Sequence, residues 1–135
     1  MTQDVGDDGN DERGELTIRT LAMPADTNPS GDIFGGWVLS QMDLAAGIMA
    51  AKRAKGRVAT VALDGMSFHL PVYVGDVVSC YAKVTRIGRT SMTVEVETYV
   101  NRGRIEADLK VTEGRFTMVA IDDAGRPRTV TAGGA

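Results

Sequence analysis

Residues 37–54 read WVLSQMDLAAGIMAAKRA, and this run decides the fold class. Alanine, leucine and methionine dominate it and no proline interrupts it, so it predicts a helix from Trp37 to about Ala54. Val38, Met42, Ala45 and Met49 fall at i, i+4, i+7 and i+11, forming one apolar stripe with Leu39, Ala46 and Ala50 on its flank. The helix is apolar around most of its girth until Lys52, Arg53 and Lys55 mark its exit. A helix of that kind belongs in a core, wrapped by other structure.

Downstream, everything reads as strand. Arg57 to Phe68 leads to a turn at Pro71 to Asp76, and Val77 to Arg86 leads to a second turn at Ile87 to Thr90. Met92, Val94, Val96, Thr98 and Val100 then alternate with Thr93, Glu95, Glu97 and Tyr99, a period of two with one face dry and one wet. Gly103 closes another turn before a long last strand, Arg104 to Ile121, with a bulge expected at Glu113-Gly114. Upstream, Glu15 to Met23 is a short strand, and the loop Pro24 to Gly36 is dense in Pro, Gly, Asn and Asp. Four consecutive strands joined by short turns require antiparallel pairing. One apolar helix against one curved antiparallel sheet is an α+β architecture.

The 135 residues form one domain: residues 15–128, between an acidic tail at 1–14 and a flexible tail at 129–135. Such a chain buries a core without staples. One cysteine (Cys80) and one histidine (His69) supply neither an internal disulfide nor a Cys/His metal site, which points to a reducing, cytoplasmic setting. Of the net charge of −3, residues 1–14 carry −4, and that polar stretch reads as disordered. The remainder is close to neutral, so no basic face for nucleic acid is expected. No apolar run approaches the roughly 18 residues of a membrane span.

Few residues suggest chemistry. Gly31 to Gly36 is neither G-x-G-x-x-G nor a P-loop. It is either a loop that needs glycine to enter the helix or a place where Gly35 and Gly36 present bare N–H groups. Unpaired donors at a helix start favour a developing oxyanion. Asp43 is the one charge between Trp37 and Ala51, and its neighbours Leu39, Ser40, Ala46 and Gly47 offer no ion pair. It is either a structural anchor or a catalytic base or nucleophile. Gly36 and Asp43 lie seven residues apart, about 10.5 Å along a helix. If they cooperate, Asp43 comes from a second copy, as in an isologous dimer with shared sites. Cys80 and His69 read as core or sheet positions, and the methionines as core filling. Lys52, Arg53, Lys55 and Arg57 form a solvated helix exit, unless they, or Arg86 and Arg89, meet a phosphorylated ligand.

The run PADTNPSGDIFGGWVLSQMDLAAGIMA, Pro24 to Ala50, resembles the opening of the YciA-type acyl-CoA thioesterases, relatives of brain acyl-CoA hydrolase. The likeness continues through VALDGMSFHLPVYVGDVVSCYAKVTRIGRTSMTVEVE and VTEGRFTMVAIDDAGRPR, so it covers nearly everything from Leu16 to Arg128. The resemblance implies the hotdog fold, a long central helix wrapped by an antiparallel sheet. It implies hydrolysis of acyl-CoA to free CoA and a fatty acid, with no metal and no cofactor beyond the CoA of the substrate. It also implies dimers with interface sites, arranged as a trimer of dimers.

By position, Asp43 matches the catalytic carboxylate, and Asn28 a second site residue contributed by the partner subunit. Gly35 and Gly36 match the amides that polarise the thioester carbonyl, and Gly88, Arg89, Thr90 and Ser91 a turn near bound CoA. The acyl chain is expected to run past Met42, Ala46 and Met49. Two alternatives accompany this reading: a hotdog acyl-thioester hydratase, which needs a catalytic histidine, and a non-catalytic acyl-CoA binder or sensor.

Overall fold

The computed structural model describes residues 13–103 and 107–130. Strand β1 (Glu15–Leu21) leads through a single 3-10 turn (Pro24–Asp26) to helix α1 (Gly35–Ala54). Strands β2 (Val58–Phe68), β3 (Val77–Ile87), β4 (Ser91–Asn101) and β5 (Leu109–Ala120) follow. They form one sheet in the order β1-β3-β4-β5-β2, every pair antiparallel. The helix lies across one face and touches all five strands. This is the long helix on an antiparallel sheet that the sequence predicts.

The alternation in β4 is complete: Met92, Val94, Val96, Thr98 and Val100 are buried, and the residues between them are not. From α1, Val38, Met42, Ala45, Ala46, Ala50 and Ala54 enter the same core beside Phe116 and Met118 of β5. The helix is not wrapped all round. Leu44 and Ile48 are 56% and 52% exposed, because the sheet covers only the side facing it. Val61 of β2 is exposed to a similar degree, and β2 is an edge strand with one side unpaired.

The helix starts two residues earlier than its composition suggests, at Gly35. It ends in a left-handed residue, Lys55 (φ 57°), whose N–H reaches Ala51 O. Arg128 Nη2 then bonds Ala54 O at 2.9 Å, satisfying a carbonyl at the helix end.

The expected bulge in β5 at Glu113-Gly114 lies elsewhere. Between Asp64 and Ser67 it is β2 that carries the extra residue, at Gly65-Met66, where Gly65 supplies a φ of 64°. In β5 the register shifts against β4 at Val111 instead. The ordered domain also extends beyond residues 15–128. Arg13 stacks on the Tyr99 ring at 3.7 Å and pairs with Asp108 at 3.0 Å. Val130 is buried and its N–H bonds Arg89 O. The tail expectations for residues 1–12 and 131–135 lie outside the described residues. No helix among the described residues is long and apolar enough to cross a membrane.

Candidate active site

The loop before α1 is built around Asn28. Its Oδ1 accepts the N–H groups of Ser30 (2.9 Å) and Asp32 (3.1 Å), while its own backbone pairs with Gly31 and Asp32. Two donors converging on one amide atom require that atom to be oxygen, so the carboxamide cannot be flipped. Nδ2 is left with two N–H donors and no acceptor among the described residues. Further on, Ile33 N bonds Val72 O and Phe34 N bonds Asp26 O, which fixes where the helix begins.

Phe34 is the N-cap and gives no side-chain cap. Its carbonyl accepts Trp37 N and Val38 N, while the N–H groups of Gly35 and Gly36 find no acceptor among the described residues. The helix start therefore keeps two bare donors and the positive end of its dipole. A Cβ at Gly36 would meet nothing within 4 Å. The chain's own packing gives no reason for glycine there.

Asp43 is half-buried on the flank of α1 facing β2. Thr60 Oγ1 donates to Asp43 Oδ1 at 2.6 Å, which holds the carboxylate in place and leaves Oδ2 able to accept. Gly36, Ser40, Asp43 and Thr60 line one cavity of about 300 Å³ with Leu39, Leu63 and Phe116. Asn28 and Gly35 line a different cavity, of about 360 Å³, with Asp32, Ile33, Val38, Phe68 and His69 among its walls. A single chain thus brings Gly36 and Asp43 to one cavity and Asn28 to another. His69, outside the Asn28/Gly36/Asp43 group in sequence, borders the Asn28 cavity, and its Nε2 lies 3.3 Å from Glu113.

Of the residues expected along the acyl route, Met42 and Ala46 are fully buried, while Met49 borders a cavity of about 390 Å³ beside Lys52, Arg53 and Val84. Gly88 and Ser91 line another, polar cavity of about 240 Å³ with Arg86, Thr93 and Thr117; Arg89 and Thr90 do not border it. Met92, Val94, Phe116 and Met118 face the helix, so Thr93 and Thr117 point to the other side of the sheet. This turn is across the sheet from Asp43 of the same chain. Arg57 bonds the carbonyls of Asp122 and Asp123, and Lys52 pairs with Glu15. Cys80 is buried in β3. Burial pushes its thiol up to about 11, against the opposing pull of the Thr98 hydroxyl, which leaves it a core residue. Among the described residues no group of three or more His, Cys, Asp or Glu could hold a metal ion.

Sequence reasoning missed Thr60. A threonine in a strand is unremarkable, and its partner lies 17 residues away on another element. Only the packing of β2 against α1 brings the two together.

The arrangement has known counterparts. The family profile described as Thioesterase superfamily matches residues 30–107, which contain the helix, both glycines and Asp43. Acyl-CoA thioester hydrolase YciA of Escherichia coli K12 is 50% identical over 121 residues, covering 87% of this chain and 92% of its own. A hexameric thioesterase from Yersinia pestis superposes with a TM-score of 0.84 at 53% identity, over 89% of this chain and 98% of that one. An acyl-CoA hydrolase from Staphylococcus aureus, solved with butyryl coenzyme A and coenzyme A, gives 0.78 at 31% identity, over 84% and 69%. Solved relatives include asparagine-to-alanine and threonine-to-alanine variants of the Staphylococcus enzyme. The fold, the match over most of the chain and the bare helix start agree: this chain belongs to the thioesterase superfamily, and its fold is the hotdog.

Proposed function

We propose that this chain hydrolyses acyl-CoA thioesters to free CoA and a carboxylic acid, at sites that two copies complete together. The observation that carries this reading is the Asp43–Thr60 pair, a carboxylate held in place by a 2.6 Å hydrogen bond. In the proposed reaction the thioester oxygen accepts hydrogen bonds from the Gly35 and Gly36 N–H groups. Asn28 Nδ2 donates to the substrate or the attacking water. Asp43 of the opposing copy takes a proton from water as its oxygen bonds the carbonyl carbon, and Thr60 keeps that carboxylate aimed. The tetrahedral species collapses, the C–S bond breaks, and the CoA thiolate receives the proton from Asp43. Direct attack by Asp43 through an anhydride uses the same groups. Single turnover in ¹⁸O-water separates the two, since only the anhydride route places label in the Asp43 carboxylate. The chain's own groups suffice, and CoA enters only as part of the substrate.

That Asn28 and Asp43 of one chain line separate cavities supports drawing them from two copies. The unpaired edge of β2 and the exposed Leu44, Ile48 and Val61 offer a self-complementary surface. Relatives that are hexameric support an assembly of six copies, and three such dimers would make one. The Gly88 to Ser91 turn lies across the sheet from its own Asp43, so its contact with CoA phosphates would serve a site elsewhere in the assembly. The reducing, cytoplasmic setting is part of the same proposal. Its single cysteine is buried, and the hydratase alternative would have to use His69, whose ring already faces Glu113.

Thiol release from a panel of acyl-CoAs tests the activity. Wild type should turn over, and Asp43→Asn should lose nearly all of it; a wild type that releases no thiol refutes the reading. Shared sites are tested by mixing Asp43→Asn with Asn28→Ala chains after reversible dissociation. Random assortment makes half of the dimers mixed, each with one intact site, so about a quarter of wild-type activity should return. A mixture no more active than its parents rules out sharing.

A further inference from the structure

The loop that presents Asn28 is fastened at both ends to one turn, residues 71–76. At its start, Ala22 N donates to Asp76 O (2.9 Å) and Ala22 O accepts from Gly75 N (2.8 Å). At its end, Ile33 N donates to Val72 O (3.0 Å). Ala22, Ile33 and Val72 are nearly inaccessible to solvent, so water does not easily replace these bonds. Next to Ile33, Asp32 bonds Asn28 twice: its N–H donates to Asn28 Oδ1, and its carbonyl accepts from Asn28 N. Where Nδ2 points therefore depends on where the turn stands.

The turn is in turn held by one ion pair. Asp76 is 1% exposed, and a carboxylate buried that deeply needs its charge and its lone pairs matched. Tyr73 N donates to its Oδ2 at 2.8 Å. Arg102, the residue after the end of β4, supplies the rest: Nε donates to Oδ1 and Nη2 to Oδ2, both at 3.0 Å. This is the planar fork that a guanidinium makes and an ammonium cannot. Nη2 also donates to Pro71 O at 3.0 Å, and Arg102 Cζ lies 4.5 Å from the centroid of the Tyr73 ring. Arg102 thus grips the turn at Pro71 and at Asp76, on either side of the Val72 carbonyl that holds Ile33. It hangs from β4, the middle strand of the sheet, while Asp43 and Thr60 stand on α1 and β2, outside this chain of bonds.

We propose that Arg102 is a positioning residue: through Asp76 and the turn at 71–76 it sets where Asn28 stands in the site. This rests on the thioester hydrolase reading above. Arg102 acts through Asn28 and not by touching substrate. A shifted loop still admits substrate, but it carries the Nδ2 donor away from the reacting atoms. The loss therefore falls on kcat and not on KM, and a misplacement of about 1 Å costs up to about 100-fold.

The test compares wild type with Arg102→Lys, Asn28→Ala and the double variant. Thiol release gives kcat and KM, thermal melting gives Tm, and hydrogen exchange in the full chain follows residues 27–34. Arg102→Lys keeps a cation beside Asp76, so it should fold, but its ammonium cannot reproduce the fork on Asp76 together with the bond to Pro71 O. Its kcat should fall about 10- to 100-fold with KM little changed. Residues 27–34 should exchange about tenfold faster, while α1 keeps its rate. In the Asn28→Ala background the same substitution should cost no further kcat, because no carboxamide is left to misplace. A role in folding alone would lower kcat by the same factor in both backgrounds, or lower Tm with kcat per folded molecule unchanged. Either result overturns the proposal, and so does an Arg102→Lys chain with wild-type kcat. If the wild type releases no thiol, the hydrolase reading fails by itself. Faster exchange confined to residues 27–34 in Arg102→Lys then still upholds the control of Asn28 by Arg102, and unchanged exchange overturns both.

Discussion

Replacing Gly36 by alanine separates what the fold needs from what the reaction needs. Gly36 lies in the first turn of α1, its φ is not in the left-handed region, and an added Cβ has no neighbour within 4 Å. For the isolated chain the substitution should therefore stabilise the helix by up to about 1 kcal/mol. In a domain of this size that raises Tm by about 3–5 °C. Catalysis should respond in the opposite sense. A helical Cα–Cβ bond tilts toward the N-terminus, the direction in which the bare Gly35 and Gly36 N–H groups point. The methyl group then occupies space that the thioester oxygen must enter. Loss of one preorganised donor to an oxyanion costs about 100- to 1,000-fold, and Gly36→Ala should lose on the order of 100-fold in kcat/KM. Melting curves, steady-state thiol release and sedimentation velocity are the assays. Unchanged kcat/KM refutes the placement of the carbonyl at these amides. Activity lost through dissociation into monomers refutes it as well, because glycine would then be serving the interface.

Thr60→Val keeps the shape of the side chain and deletes the hydrogen bond to Asp43. A bond to a charged group is worth about 1.5–3 kcal/mol, so kcat should fall about 10- to 100-fold with little change in KM or Tm, and Thr60→Ser should recover most of it; a fully active valine variant disproves the role. Arg128→Ala removes the 2.9 Å bond from Arg128 Nη2 to Ala54 O at the helix end. The urea midpoint should drop by the equivalent of about 1–2 kcal/mol while activity per folded molecule stays constant, and an unmoved midpoint shows that Arg128 does not hold the helix end.

The helix was legible because alanine, leucine and methionine at a period of 3.6 leave few alternatives. Strand β4 was legible because period-two alternation over ten residues leaves none. Asp43 stood out as a lone charge, and Asn28 through a resemblance carried by its loop. What could not be read depends on pairing between distant elements. The bulge moved from Glu113-Gly114 to Gly65-Met66, since either glycine tolerates it and only the β2–β5 register decides which one carries it. Thr60 gains its role by facing Asp43 across the helix–sheet seam. Val130 is buried only because the chain returns to Arg89, a contact that a Gly/Ala-rich ending does not announce. The exposure of Leu44 and Ile48 was not legible for a simpler reason. Apolar girth shows that a helix is covered, but not whether its own chain or a second copy covers it.

That ambiguity bears on the active site. Seven residues at 100° each return nearly to the starting direction, so Gly36 and Asp43 lie on the same side of α1, about 10.5 Å apart along it. Neither end of a rigid helix can bend to meet the other. A second helix laid antiparallel beside the first brings its Asp43 level with the first Gly36, and its Gly36 level with the first Asp43, when the two-fold axis crosses midway, near Ser40. In the proposed reaction, the separation that keeps one chain from completing a site is the same separation that would let two chains complete two. Leu44 and Ile48, one and two turns beyond Ser40, are exposed in the single chain, and an interface built on that axis would cover them. In the proposed dimer the apolar girth of α1 and the division of Asn28, Gly36 and Asp43 between cavities would have one explanation, the second copy.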